Sequence, residues 1–436
     1  MRTRTSRAAR AGVAGAVALT LALAACGAGD DPEPAGTGDP AALTAELTWW
    51  DTSDPTNEGP AFQQLIAQFN EQYPNVTIDY QSVPFGEAQN KFKTAAEADA
   101  GAPDILRAEV AWVPELASLG YLYALDGSPL LADAADFLPI PMSSKQFDGS
   151  TYGVPQVTDT LALLYNKQLF ADAGIDAPPA TWEEVKTAAA TIRAETGADG
   201  LFINPGGYFL LPFIYGEGGD LVDAEAEQIV VNSPASAAGV AIAQDLVQSG
   251  AAVKPPASDA YGTMMTLFKE NQVAMIINGP WEVNSIRQAP DFGDLDNLGI
   301  APVPAGSVQA GAPVGGHNYV IWSGMPEEEI EAAIAFINFM SSAESQAFLS
   351  AELGLLPTRQ SAYQLPQVQD NEIVSAFKPV LDAAVARPWI PEGGQFFGPL
   401  DEMATEVLVR NTDPQQALDT VAGRYQSEVV PSYTTE

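Results

Sequence analysis

The chain has a single cysteine and a single histidine among 436 residues. With Cys26 alone, no disulfide can form within the chain and no thiolate metal cluster can be built. His317 is the one imidazole, so a histidine-assisted triad would have to use it, and no Gly-x-Ser-x-Gly elbow accompanies it. A zinc site has neither the cysteines nor the histidines it needs. Positive charge is scarce too: 19 Lys and Arg stand against 56 Asp and Glu, a formal charge of −37. A surface of that sign repels phosphate backbones and anionic lipid, which argues against nucleic acid as a partner. The acids are dispersed, as on a solvated globular surface, and not run together as in a disordered tail. There is no P-loop and no dinucleotide Gly-x-Gly-x-x-Gly, and Gly216-Glu217-Gly218-Gly219 has the wrong spacing. Neither a cofactor nor a metal is therefore expected. Hydrolysis by paired carboxylates stays open, because in so acidic a chain some carboxylates always lie close.

What is present starts with a leader. Arg2, Arg4, Arg7 and Arg10 form a basic region, residues 11–22 are apolar, and Leu23-Ala24-Ala25-Cys26-Gly27 reads as a bacterial lipobox. The expectation is a signal peptide over 1–25, with Cys26 as the lipidated first residue of a protein held on the outer face of the cell membrane. Residues 26–42, with Pro32, Pro34, Gly36, Gly38 and Pro40, read as lipid anchor and flexible tether. No later apolar run approaches the roughly 20 residues of a membrane span.

The body is long enough for two domains. Residues 45–50 read as a strand. Phe62, Leu65, Ile66, Phe69 and Tyr73 follow at helical spacing until Pro74. Strand 76–80, helix 87–100 and strand 104–106 complete a β-α alternation, so a largely parallel sheet is expected. From Gly153 to Asn166 two β-type runs meet with no helix between them, a passage suited to carry the chain from one domain to another. Thr181-Trp182-Glu183-Glu184 is a capping box that opens a helix to about residue 195. Further strands are expected at 200–204, 298–303 and 318–322. Further helices are expected at 235–248, 261–269, 326–340, 343–351, 372–385, 400–410 and 414–426.

One stretch organises the rest: Val273 to Trp281, VAMIINGPW. It is a buried strand that stops at Asn-Gly-Pro and then presents a tryptophan. Ligand crevices in open α/β sheets lie at such strand ends, yet a core tryptophan capping the strand would read the same way. Other candidates share that setting, after a strand or beside a Gly/Pro turn: Asp51, Glu109, Trp112, Asp159, Tyr208, His317, Phe396 and Phe397. Flat rings stack on the C–H faces of a sugar, and carboxylates accept its hydroxyl protons. Core packing for each ring, and a solvated or capping role for each carboxylate, remain open at this point.

The segments APDIL at Ala102, YGVPQVTDTLALLYNK at Tyr152, TWEEV at Thr181, FKENQVAMIINGPW at Phe268, FINFMSSAESQAF at Phe336 and LGLLPTRQSAY at Leu353 carry a resemblance. Over most of its body the chain resembles the solute-binding lipoproteins of bacterial ABC sugar importers, of the maltose/maltodextrin-binding type. The resemblance implies an α/β, two-lobe periplasmic-binding-protein-like fold (type II), with the ligand cleft between hinge-linked lobes. It divides the chain into an N-terminal lobe of 43–157 plus 312–357 and a C-terminal lobe of 158–311 plus 358–436, with crossings near 156–160, 302–313 and Pro357. It implies an oligosaccharide of maltose/maltodextrin or trehalose type as ligand, importer permease subunits as partners, a monomer, and no catalysis. By position it places the family's NGPW tryptophan on Trp281, its lower-lobe tyrosine on Tyr208, its crossing-strand acid on Asp159 and its C-terminal stacking ring on Phe397. Where the maltodextrin binders carry a further tryptophan and an Asp-Arg pair, this chain has Ala108, Ala111 and Trp112, and Trp112 with Glu109 is expected to supply the equivalent contacts. That exchange leaves sugar length and linkage open. The alternatives are a surface-anchored glycoside hydrolase and a receptor for a polyamine or peptide.

Overall fold

The computed structural model describes residues 40–435, so the leader, Cys26 and most of the tether lie outside the described residues. Two five-stranded sheets form the body. The first runs, edge to edge, Val76–Ser82, Ala45–Asp51, Ile105–Glu109, Val314–Ile321 and Gly153–Thr160. The second runs Ala252–Val253, Asp199–Phe202, Val273–Asn278, Ala162–Asn166 and Leu298–Ala301. In the first sheet only Val314–Ile321 is reversed against the others, and in the second only Ala162–Asn166. The largely parallel expectation is met, each reversed strand being one that a crossing between lobes delivers.

Packing follows the sequence pattern. Helix Gly59–Gln72 buries Phe62, Leu65, Ile66 and Phe69, and ends before Pro74 with Tyr73 stacked on Phe69 at 4.6 Å. Trp49, on the neighbouring strand, is the centre of this lobe: Phe62, Tyr80, Tyr319 and Phe336 meet it edge-on at 5.2–5.8 Å. Each fully buried large side chain of this kind stabilises by about 1.5–3 kcal/mol. In the other lobe helix Trp182–Thr196 begins as the capping box predicts, Thr181 Oγ1 accepting from Glu184 N at 3.3 Å. Glu184 reaches back one residue further, accepting from Ala180 N at 2.7 Å.

The lobes are joined by adjacent backbone. One residue, Leu161, separates the strand Gly153–Thr160 of the first sheet from Ala162–Asn166 of the second. Thr160 Oγ1 donates to Pro313 O at 2.9 Å, tying that passage to the second one. Val385 lies alongside: Val314 N donates to Val385 O and Val385 N to Ala312 O, both at 2.8 Å. Near the third expected crossing, Leu138 N donates to Thr358 O at 2.7 Å and Ser361 N to Asp136 Oδ1 at 2.9 Å, so residues 358–361 rest on the first lobe.

Two departures from the sequence expectation matter for the site. The strand Val314–Ile321 begins four residues before the expected 318, because Gly315 and Gly316 are paired in the ladder instead of looping out. Gly316 holds φ +130°, and a Cβ there would meet Val157 O at 2.3 Å, so only glycine lets the crossing strands approach this closely. The second departure is an unexpected helix, Gly207–Gly216. It is apolar on nearly every side and carries Pro212, so it has neither the periodicity nor the composition by which a helix is read.

Candidate functional site

Between the lobes lies a cavity of about 660 Å³, within the range of roughly 300–1,000 Å³ usual for small-molecule sites. The first lobe lines it with Phe85, Glu109 and Trp112, the second with Tyr208, Trp281 and Phe397, and the crossing strands with Asp159 and His317. Seven of the nine sequence candidates are thereby brought together.

Trp281 stands just past the strand Val273–Asn278, in the short turn Pro280–Glu282. Its indole folds back over Gly279, where a Cβ would lie 1.9 Å from the ring. The half-buried ring is pinned by two bonds: Nε1 donates to Tyr261 Oη at 2.9 Å, and the Trp281 carbonyl accepts from Asn57 Nδ2 at 2.9 Å. Tyr261, Phe209, Tyr208 and Phe397 continue from it as a row of rings spaced 6.0–6.2 Å apart. The unforeseen helix Gly207–Gly216 supplies two of these rings from its first turn.

The polar centre is set by strand register. His317 pairs with Glu109 on one side and Val157 on the other, and Gly315 pairs with Asp159, so directly opposed side chains emerge on one face. Glu109 is held by an ion pair with Arg387 and accepts from Ala111 N at 2.8 Å. Arg387 also donates to Val314 O at 2.9 Å and lies 5.5–5.6 Å from the ring centres of Tyr208, Trp389 and Phe397. Burial raises the Asp159 carboxyl to about 7, and the like charge of Glu109 adds to the shift. Near neutral pH this carboxyl is divided between donor and acceptor forms. Burial, with Arg107 and Arg387 nearby, holds His317 well below the usual imidazole range, so it is neutral. The hydroxyl of Tyr208 and both ring nitrogens of His317 are buried without a hydrogen-bond partner in the protein. Groups so placed gain most from a ligand that offers both donors and acceptors.

Arg107 and Glu58, buried residues that also line the cavity, lie 3.4 Å apart, and Arg107 donates to Gln156 Oε1 at 2.9 Å. Burial raises Glu58 to about 7 against the opposing pull of Arg107.

Two candidates are corrected. Asp51 is fully buried under the cleft, accepting from Ser53 and from Tyr80 Oη, the latter at 2.6 Å, so it positions neighbours and presents nothing to a ligand. Phe396 is fully buried against Tyr425, whose hydroxyl donates to its carbonyl at 2.9 Å. Helix Phe397–Leu408 starts there, and neighbouring residues at a helix start point in different directions, so Phe397 alone of the pair faces the cleft. Trp112 does reach the cavity, but it is a buried residue with Phe85 over it. Sequence reasoning missed Phe85, Phe209, Tyr261 and Arg387. The aromatic residue after Pro84 was the one available signal.

Among the described residues no cluster of His, Cys, Asp and Glu is suited to hold a metal ion, and no helix is long and apolar enough to cross a membrane. Two α/β lobes, joined by paired crossing strands and enclosing a ring-lined polar cleft, define a receptor for a small solute.

Comparison with known proteins gives the family. Residues 52–347 match the profile of the bacterial extracellular solute-binding proteins, and the chain belongs to that family. The GacH receptor of Streptomyces glaucescens GLA.O, solved unliganded and in complex with acarbose and an acarbose homolog, is 44% identical, with a TM-score of 0.86 over 90% of this chain and 100% of that one. The maltotriose-binding protein of Pyrococcus abyssi is 24% identical over 395 residues, 89% of this chain and 82% of that protein. The diacetylchitobiose-binding protein DasA of Streptomyces coelicolor is 25% identical over 430 residues, 96% of this chain and 97% of that protein.

Proposed function

We propose that this chain is the lipid-anchored, extracytoplasmic receptor of an ABC importer and that it captures an oligosaccharide of maltose type, acarbose included, between its lobes. The observation that carries this reading is Trp281, held by hydrogen bonds at its ring nitrogen and at its backbone carbonyl, in a cleft that is also lined by further rings, carboxyls, guanidinium and amide groups and includes unpartnered hydrogen-bonding atoms. Such a platform loses little freedom when a pyranose face settles on it. The sugar is delivered intact to the permease subunits, with no bond broken, and the protein acts as a monomer held by lipid on Cys26. The lobes close about the crossings near 156–160, 302–313 and Pro357, dividing the chain into 43–157 plus 312–357 and 158–311 plus 358–436. In that division 358–361 stay in contact with the first lobe through Asp136.

The test is a thermal-shift and calorimetric panel of maltose, maltotriose, trehalose, acarbose, cellobiose and spermidine, with chromatography of the recovered sugar. Stabilisation by the α-glucosides, returned uncut, is expected, since a ligand bound only by the native state raises the melting temperature. Reproducible cleavage products would establish a hydrolase, and a response to spermidine alone a polyamine receptor.

A further inference from the structure

Among the described residues the exposed large hydrophobic side chains are Phe85, Leu119 and Val308, and of these Phe85 lines the cleft. Its position follows from local sequence. Pro84, at φ −52° and ψ 131°, brings the chain out of the strand Val76–Ser82, and Phe85 is the first residue of helix Phe85–Glu97. With no preceding turn to rest on, its ring projects from the helix end. It lies over Trp112 with centroids 5.1 Å apart and planes tilted by 33°, and it meets His317 edge-on at 6.1 Å. Trp112 is only 6% exposed, whereas Phe85 is 49% exposed. The indole is therefore the backing, and the phenyl is the face that the first lobe offers.

This face stands apart from the ring row of the second lobe. That row passes from Trp281 through Tyr261, Phe209 and Tyr208 to Phe397, whereas the ring contacts of Phe85 are with Trp112 and His317. Both line the same cavity, so a ligand lying on the row has in Phe85 a second, separate apolar face for an outlying ring. Asn90, exposed on the same helix and lining the same cavity, adds an amide suited to that ring's hydroxyls.

We propose that Phe85, supported by Trp112, forms an outer subsite for an additional pyranose ring and so sets a preference for longer over shorter oligosaccharides. This inference rests on the reading of the cleft as an α-glucoside site.

Titrate the full chain and its Phe85→Ala, Phe85→Leu and Phe85→Tyr variants by calorimetry with maltose, maltotriose and maltotetraose, and record the melting temperature of each. Phe85→Ala is expected to weaken maltotetraose about tenfold, the usual scale of one aromatic stacking contact, and maltose by a clearly smaller factor. Phe85→Leu, which keeps apolar bulk but has no flat face, should follow Phe85→Ala, and Phe85→Tyr should follow the parent. Equal loss at every sugar length, or no loss at any, overturns the outer subsite while leaving the sugar-receptor reading in place. Failure of the parent chain to bind any of the three sugars overturns both, and is recognised because it does not depend on the variants.

Discussion

The hydroxyl of Tyr261 accepts the indole N–H of Trp281 at 2.9 Å and donates to the Glu282 carboxylate at 2.7 Å. One phenol thus fixes both residues that follow Pro280. The ring plane of Trp281 is set before a ligand arrives, and the entropy cost of ordering it falls on folding instead of on binding.

Trp281→Ala is expected to weaken binding of maltotriose by about 2 kcal/mol or more, the size of a well-packed aromatic hot spot. Tyr261→Phe keeps the ring but removes the hydroxyl's bonds to Trp281 and Glu282, and its smaller effect on affinity should be about 1 kcal/mol, the usual net value of a hydrogen bond. Calorimetry of both variants checks this. Near-parental affinity in Trp281→Ala would reassign the indole to packing.

Asp159 and Glu58 are both raised to about 7 by burial. A carboxyl that keeps its proton in the folded state while the unfolded chain has lost it favours folding at low pH. The benefit is complete below the ordinary carboxylate range and disappears as pH rises through about 7. The ligand-free protein should therefore melt at a higher temperature at pH 5 than at pH 8. Asp159→Asn should reduce that difference and weaken sugar binding less than Trp281→Ala does. Melting curves across pH read the first outcome, and a slope unchanged by the substitution would count against the Asp159 assignment.

Glu109→Ala leaves Arg387 buried without its ion-pair partner. Breaking a buried pair from one side costs about 3–5 kcal/mol, and the lower end is expected here because Glu109 keeps some contact with solvent. Urea unfolding measures the loss. A double change, Glu109→Ala with Arg387→Met, should recover part of it, because no charge is then stranded.

Asn284 Nδ2 donates to Asn57 Oδ1 at 2.8 Å, and Asn57 Nδ2 donates to Trp281 O, so one asparagine on the first lobe holds two residues of the second. Asn284→Ala should shift the population towards an open form and lower sugar affinity without altering any ring of the cleft. Small-angle scattering should show a larger radius of gyration in the ligand-free variant, falling to the parental value with saturating maltotriose. Identical profiles for parent and variant in both conditions would remove this pair from the closure account.

Much of this was legible in the chain itself. Periodicity and punctuation are local properties, so the helices that bury one face and stop at Pro74 or start at Thr181 could be read directly, as could the VAMIINGPW strand and its terminal tryptophan. The family motifs carried the two-lobe architecture and placed Trp281, Tyr208, Asp159 and Phe397, all of which line the cleft. Helix Gly207–Gly216 escaped because a helix buried on almost every side has no polar stripe to give its period. Gly315 and Gly316 read as a loop because glycine marks turns and close strand contacts alike, and only the Val157 carbonyl packed against Gly316 distinguishes the two.

Composition and local pattern settled which residue types were available for chemistry, where most regular elements lie and which family the body resembles. Tertiary structure alone decided that Phe397 and not Phe396 faces the cleft, that Asp51 lies beneath it, and that Arg387, nearly 280 positions away in the chain, neutralises Glu109. Those outcomes depend on the direction of a side chain at a helix start and on the pairing of distant strands. Both are set by packing across the whole chain, which no window of neighbouring residues contains.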